Sequence, residues 1–294
     1  MSRSLRDMLR ACWLPIAERA ARAYVAGPAL SDALRTGHWL SRQGFASSIG
    51  FWNGDDDEPR QVADAHLDAL DALASENLDC YLSIKAPPLE FDRRLLAELL
   101  DRAGRRSIGV HFDSLGPEAA DDTFACIASA RQHYPKLGCT LPGRWRRSLR
   151  DADSAVDLRL NVRVVKGGWV DPEMPEVDLR AGFLAVIDRL AGRATHVGVA
   201  THDPSLAREA LRRLRSAGTS SELELLFGLP ARQAIREAAD AGVPVRFYVP
   251  YGRAWLPYSL SQARQHPGVL WWALRDSLAG RPLHPPALPP RERD

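Results

Sequence analysis

Several residue types and patterns are scarce or missing in this 294-residue chain, and each gap excludes a class of protein. The cysteines number only four and form no CxxC pair: Cys12, Cys80, Cys126 and Cys139. Their wide spacing argues against disulfide frameworks and zinc sites, so we expect reduced thiols, a cytoplasmic protein and no bound metal. No run of about 18 apolar residues occurs, so no transmembrane segment is expected.

An excess of charge of one sign is missing as well. Lysine and arginine total 39 and aspartate and glutamate total 37, which gives a net charge of +2. This balance does not indicate a nucleic-acid-binding surface, which needs a strongly basic face. We therefore expect a small-molecule partner and no nucleic acid.

Lysine is the scarcest charged residue, with Lys85, Lys136 and Lys166 as its three positions. Two of them, Lys85 and Lys166, lie at the ends of predicted strands. A compact, titratable ammonium and an arginine fork are not interchangeable, so these two lysines are candidate functional residues. Chance placement is the alternative.

Apolar runs alternate with amphipathic segments along most of the chain. The predicted strands are 47–52, 79–85, 107–112, 137–141, 158–165, 195–200, 222–227 and 243–249, and a predicted helix follows each of them. Eight such units predict an α/β fold of the (β/α)₈ TIM-barrel type. A doubly wound open sheet is the alternative, and it would need a glycine-rich phosphate loop after the first strand. That strand ends instead in Asn53-Gly54-Asp55-Asp56-Asp57.

The ends of the chain differ from this repeating middle. Residues 5–26 and 30–43 show helical periodicity, and we interpret them as a helical cap on the barrel, with a partner-docking arm as the alternative. The predicted organisation is an N-terminal helical arm over 1–45, the barrel over 46–280, and a flexible tail rich in proline and arginine over 281–294.

Reactive residues of a barrel lie where its strands end. These positions are Trp52, Lys85, Asp113, Pro142, Lys166, Thr201-His202-Asp203, Gly228 and Tyr248. Lys85 and Asp113 follow neighbouring strands, so we expect an ion pair between them at the barrel mouth. A purely structural salt bridge is the alternative interpretation.

Six segments at or near the strand ends form recognisable motifs: Ser83-Ile84-Lys85, Val110-His111-Phe112-Asp113, Arg163-Val164-Val165-Lys166-Gly167-Gly168-Trp169, Ala200-Thr201-His202-Asp203, the segment 222–228, and the segment 246–258. They resemble motifs of the proline dehydrogenase family, whose members are flavin-dependent barrels that oxidise the ring C–N bond of proline. The resemblance covers roughly residues 47–266. The fifth-strand and eighth-strand segments are the specific ones.

The resemblance implies FAD as the cofactor and assigns roles to individual residues. Asp113, Arg163 and Lys85 would be catalytic, with Arg163 near the reactive edge of the flavin. The cofactor-binding set would be Ser114, Arg163, Lys166, Gly167, Gly168, Trp169, Thr201 and His202. The substrate would contact Lys85, Tyr248, Tyr258, Ser261 and Gln262. Glycines at 167 and 168 permit close backbone approach, and the two cations offset negative charge.

The chain departs from the family pattern at three places. Ser261 and Gln262 stand where the family has an arginine pair for the substrate carboxylate, and Pro142 and Glu224 stand where it has glutamines. Without the arginines a carboxylate has no bidentate partner there. We therefore expect oxidation of an amine other than free proline by hydride transfer to flavin N5, and a carrier-linked amine is one alternative. The electron acceptor, quinone or oxygen, stays open.

Three other functions remain open from the sequence. Arg253 or Arg264 would supply the missing charge in an ordinary proline dehydrogenase. Lys85 or Lys166 would be the nucleophile of a Schiff-base lyase. A non-catalytic barrel serving a partner protein is the third.

Overall fold

A computed structural model describes residues 27–252, which form a closed barrel of eight parallel strands surrounded by eight α-helices. The strands are β1 (Ala46–Trp52), β2 (Cys80–Ile84), β3 (Val110–Phe112), β4 (Leu137–Pro142), β5 (Asn161–Val165), β6 (His196–Ala200), β7 (Ser220–Leu226) and β8 (Val245–Gly252). Each strand pairs with the next in sequence, and β8 pairs with β1. The predicted (β/α)₈ barrel is confirmed, and the open-sheet alternative is excluded.

The helices alternate with the strands. They are α1 (Leu30–Arg42), α2 (Pro59–Ser75), α3 (Arg93–Arg106), α4 (Ala120–Arg131), α5 (Ser148–Asp157), α6 (Leu179–Leu190), α7 (Pro204–Ser216) and α8 (Arg232–Ala241), with short 3₁₀ turns at Pro87–Leu89 and Pro117–Ala119. Within residues 27–252, none of these helices combines the length and the apolar character that crossing a bilayer requires.

Helix α1 was predicted as part of a cap and packs against β1 and β8, where the barrel closes. The other predicted cap helix, the helix after Pro257 and the predicted tail lie outside the described residues. The proposed domain boundaries stay predictions.

Aspartate side chains begin three of the outer helices. Asp92, Asp178 and Asp203 each accept hydrogen bonds from two backbone N–H groups in the first turn of α3, α6 and α7. These donors have no partner within the helix, so each carboxylate fixes where its helix starts.

The strands have two different faces. Outward residues such as Ile49, Leu82, Phe112, Val164 and Leu225 are at most 1% exposed and form the hydrophobic core between strands and helices. The inward residues are polar, whereas barrel interiors are ordinarily filled by branched aliphatic side chains. The interior of this barrel therefore holds the candidate site.

Three predicted strand boundaries are wrong for local backbone reasons. β3 begins at Val110 because Ser107 takes a left-handed conformation (φ 57°) that ends α3. β5 begins at Asn161 because Arg159 turns the chain with φ 52°. β8 was predicted to end at Val249, yet it stays in register with β1 as far as the Trp52–Gly252 pair.

Candidate functional site

Arg163, in the middle of β5, is the centre of a polar cluster inside the barrel. Its Nε donates to Glu224 Oε2 on β7 at 2.7 Å, and its Nη2 donates to the Tyr81 hydroxyl on β2 at 2.7 Å. Its Nη1 bonds to Asp113, directly after β3, and lies 3.4 Å from Ser83 Oγ. A side chain on β5 can reach residues on or after β2, β3 and β7 only through the interior of the barrel. Arg163 therefore links these strands across the barrel axis.

Asp113 accepts hydrogen bonds from three side chains. Besides Arg163, it accepts from Thr140 Oγ1 at 3.3 Å and from the Tyr248 hydroxyl at 3.2 Å. The Tyr248 oxygen in turn accepts from Trp52 Nε1 at 3.0 Å. Arg163, Thr140 and Tyr248 all donate to Asp113, so the ionised carboxylate fits this environment.

Two tyrosine rings flank the guanidinium. Arg163 Cζ lies 5.7 Å from the Tyr81 ring centroid and 5.2 Å from that of Tyr248, which are cation–π distances. Burial raises the pKa of both tyrosines well above the usual value, so both keep their protons. Burial alone would lower the pKa of Arg163, but the charges around it, that of Glu224 foremost, outweigh burial and raise it. Arg163 therefore stays charged.

The ion pair expected between Lys85 and Asp113 is not formed, so that expectation is wrong. Among residues 27–252, Asp113 pairs with Arg163, and Lys85 Nζ lies 5.6 Å from the Trp52 ring centroid. Lys85 is half-buried. Burial lowers its pKa and the charge of Asp113 opposes that shift. Lys85 still lies at the predicted barrel mouth, with an aromatic neighbour in place of a carboxylate.

Glycines make room for the large interior side chains. A Cβ at Gly50 would lie 2.3 Å from the Tyr248 hydroxyl, and one at Gly198 would lie 2.3 Å from Glu224 Oε1. Distances this short forbid any side chain unless the neighbour moves. These strand glycines therefore position Tyr248 and Glu224.

A second charged cluster lies towards the N-terminal ends of the strands. Arg246 Nε donates to Glu222 Oε1 at 2.8 Å, and its Nη2 lies 3.1 Å from Asp79 Oδ1. Arg246 Cζ lies 4.8 Å from the Tyr81 ring centroid, on the same ring that Arg163 contacts. A cavity at this end is lined by both clusters, including Tyr81, His111, Glu222, Glu224 and Arg246.

The connection after β5 has the features of an anion-binding turn. Gly167 has φ 95°, and a Cβ on Gly168 would meet no atom within 4 Å, so this backbone is open to a ligand. Lys166 Nζ lies 3.7 Å from Asp203 Oδ2. Arg144 Nη1 contacts the Gly167 carbonyl at 3.4 Å, while its buried Nε has no hydrogen-bond partner in the part of the chain that the structure describes.

Trp169 lies on the exposed part of the same connection, with 56% of its surface accessible. Its carbonyl accepts from Trp145 Nε1 at 2.9 Å. The buried Asp171 accepts from the backbone of Arg146 and Glu173, both at 3.0 Å. The loop is therefore held against the turn that follows β4.

The residues predicted on β6 and after β3 lie apart from Arg163. Thr201 Oγ1 accepts from the Asp203 amide at 3.2 Å. His202 uses both ring nitrogens within the protein: Nε2 accepts from Leu226 N–H, so Nδ1 carries the proton and donates to Pro230 O, both at 3.0 Å. Burial lowers the pKa of His202, consistent with this neutral form. Ser114 lines a groove between β4 and α4.

Of the predicted site residues, the structure brings together Asp113, Arg163, Tyr248 and, at the edge, Lys85. It places Lys166, Gly167, Gly168 and Trp169 on one turn. Tyr258, Ser261 and Gln262 lie outside the described residues, so their predicted positions stay predictions.

Sequence reasoning missed Tyr81, Thr140 and Arg144. Tyr81 and Thr140 have a usable signal, since Tyr81 lies four residues before Lys85 and Thr140 lies two residues before Pro142, and both Lys85 and Pro142 are predicted strand-end positions. Strand alternation puts such residues on the same face. Arg144 has no such signal because it lies in a turn.

Comparison with known proteins gives the same family as the motifs. Proline dehydrogenase 1 of Bacillus subtilis subsp. natto is 28% identical over 277 residues, a match that covers 88% of this chain and 90% of the relative. The proline dehydrogenase of Deinococcus radiodurans is 24% identical over 285 residues, with the same coverage. This chain is a homologue of the proline dehydrogenases. No protein-family model matches it.

Solved structures of proline utilization A share the barrel. The crystal structure of this protein from Bdellovibrio bacteriovorus, inactivated by N-propargylglycine, has a TM-score of 0.70 and 15% identity and covers 85% of this chain. The present chain spans about a third (33%) of that protein's length. At this identity the likeness is one of fold.

Proposed function

We propose that this homologue of the proline dehydrogenases is an FAD-dependent oxidoreductase that oxidises an amine other than free proline to an imine. The cluster of Asp113, Arg163 and Tyr248 inside the barrel carries this proposal, because it joins ionised and aromatic groups on strands that also carry the family motifs. When bound, the flavin would accept a hydride at N5 from the carbon beside the amine nitrogen.

The turn after β5 and its neighbours fit the anionic part of such a cofactor. Lys166 and Arg144 supply positive charge, Arg144 has a buried N–H without a partner in the described range, and Gly168 leaves the backbone open. We assign cofactor contacts to these residues and to Gly167, Trp169, Ser114 and Thr201. His202 would act by supporting the β7–α8 connection, since its ring nitrogens are already bonded to it.

The substrate amine would bind at Asp113. A carboxylate has about four lone-pair sites, and Asp113 uses three for Arg163, Thr140 and Tyr248. One site remains for an N–H of the amine, with Lys85 and Tyr248 beside it. Ser261 and Gln262 provide no charge for a carboxylate, which favours an amine that lacks one and leaves a carrier-linked amine open. Quinone or oxygen would reoxidise the cofactor.

The cofactor assignment is tested by titrating the purified chain with FAD. We expect one FAD per chain, and at least tenfold weaker binding for Lys166→Ala and Arg144→Ala, because a hydrogen bond to a charged group contributes about 1.5–3 kcal/mol. Lys136→Ala is the control, since Lys136 Nζ donates to the Ser107 carbonyl before β3, at the other end of the strands. A chain that binds no FAD contradicts the proposal.

A Schiff-base lyase is the second candidate, and one observation favours it. Burial lowers the pKa of Lys85, and a neutral amine is the nucleophile of such enzymes. Borohydride treatment with carbonyl compounds would attach the carbonyl carbon to Lys85 if this candidate is correct. An unlabelled Lys85 excludes it.

The compartment is proposed from the thiols. Cys80, Cys126 and Cys139 are free, which fits the reducing interior of a cell.

A further inference from the structure

Three side chains at the centre of the barrel form what we term the mouth triad: Asp113, Arg163 and Glu224. Arg163 bonds to both carboxylates, through Nε to Glu224 at 2.7 Å and through Nη1 to Asp113. Their side chains are between 5% and 13% exposed. A buried cation normally needs one counter-charge, and here it has two.

Glu224 is ionised in this arrangement. The Tyr81 hydroxyl lies 3.0 Å from each of its carboxylate oxygens, and Arg163 donates to one of them. The Tyr81 oxygen already accepts from Arg163 Nη2, so the Tyr81 hydroxyl acts as a donor to this carboxylate. The charge-assisted bond from Arg163 Nε therefore meets the charged form of Glu224. One cation and two carboxylates leave the mouth triad with one net negative charge.

The other cations inside the barrel do not pair with Glu224. Arg246 is bonded to Glu222 and Asp79, and Lys166 pairs with Asp203. Lys85 lies over Trp52 and interacts electrostatically with Asp113, so it offsets part of the negative charge of the mouth triad. Removing the charge of Glu224 still changes the summed charge of the mouth triad and Lys85 by one unit, whatever Lys85 contributes.

We propose that Glu224 is a positioning residue that holds Arg163 and lowers the affinity of the bound flavin for electrons. This inference rests on the proposed function, since it needs FAD at the barrel mouth. Two-electron reduction adds negative charge to the cofactor, and a surplus carboxylate behind Arg163 opposes that addition. At an effective dielectric constant of about 20, a unit charge changes an equilibrium more than tenfold out to about 12 Å.

The experiment compares reduction potentials of FAD-loaded wild type, Glu224→Gln and Glu222→Gln. Glutamine keeps the shape of glutamate and removes its charge. Glu222 is the matched control because it lies two residues earlier on β7, faces the same interior and pairs with Arg246 towards the other end. We expect Glu224→Gln to favour reduction at least tenfold, which is about 30 mV for a two-electron couple, and Glu222→Gln to have a smaller effect.

Asp113→Asn removes the same unit of charge from the mouth triad, so we expect the same direction of shift. It gives an independent measurement if Glu224→Gln does not fold, which thermal unfolding would reveal. FAD-loaded variants with potentials equal to that of the wild type, or equal shifts from the Glu222 and Glu224 variants, overturn the inference. A wild-type chain that takes up no FAD contradicts the proposed function instead, so the two failures are distinguishable.

Discussion

Single residues show both the reach and the limit of sequence reasoning for this site. Arg163, Asp113 and Tyr248 could be chosen because they lie on or after predicted strands and match family motifs. That Asp113 pairs with Arg163 and not with Lys85 could not be predicted, since both cations lie on or directly after strands of the barrel and the sequence does not give their distances from Asp113. Partner choice inside a barrel depends on the register of several strands, which one sequence does not specify.

His66 on α2 gives a residue-scale prediction about acid stability. It is 1% exposed, its Nδ1 has no hydrogen-bond partner within residues 27–252, and burial, with Lys85 adding to it, lowers its pKa from 6.5 to about 3. Between pH 6.5 and about 3, His66 therefore binds a proton in the unfolded chain but not in the folded protein. Stability should fall as the pH drops below about 6.5, by up to about 1.4 kcal/mol per pH unit, until the pH reaches about 3.

The measurement is urea unfolding of wild type and His66→Leu between pH 4 and 7 as approximate limits. We expect the variant to lose less stability on acidification, because its side chain cannot be protonated. His133→Leu, at an exposed position, serves as the control and should follow the wild type. Parallel wild-type and His66→Leu curves would be inconsistent with a neutral buried His66.

Whole helices and strands were predicted better than their ends. Apolar periodicity and caps gave every helix between residues 30 and 241, whereas the starts of β3 and β5 and the end of β8 each differ from the prediction by three residues. The reason is local: Ser107 and Arg159 adopt left-handed conformations that only neighbouring packing selects. The polar interior of the barrel was not predicted either. The outward residues of each strand are apolar because helices cover them, so each strand is recognised as an apolar segment whether its inward residues are polar or apolar.

The docking of α6 onto the turn after β4 gives an element-scale prediction. A Cβ at Gly182, within α6, would lie 2.2 Å from the backbone oxygen of Gly143. Glycine in a helix ordinarily costs about 0.5–1 kcal/mol relative to alanine. Gly182→Ala should nevertheless destabilise the protein, because the backbone of the turn has to move to admit the methyl group.

Gly104 in α3 is the matched control. A Cβ there would meet Tyr134 at 3.7 Å, which is an ordinary contact, so Gly104→Ala should stabilise the protein by up to about 1 kcal/mol. Thermal or urea unfolding gives both signs directly. Stabilisation by both substitutions would mean that α6 does not approach the turn this closely.

At the scale of the whole molecule, the closed barrel follows from eight repeated units, and the solved structures of proline utilization A share it. The substrate does not follow from the fold. It depends on the few groups at the barrel mouth and on Ser261 and Gln262, whose predicted place in the substrate pocket rests on the resemblance alone.

Amine oxidation is tested most directly by anaerobic reduction of the FAD-loaded chain, followed by loss of the flavin colour. Pyrrolidine and L-proline are a matched pair, since they differ only in the carboxylate. Without charged partners for that carboxylate, we expect pyrrolidine to reduce the flavin and proline to do so at least tenfold less efficiently, a difference of about 1.4 kcal/mol. Faster reduction by proline would contradict the proposed substrate preference, and a flavin that neither these nor any other amine reduces would contradict amine oxidation itself.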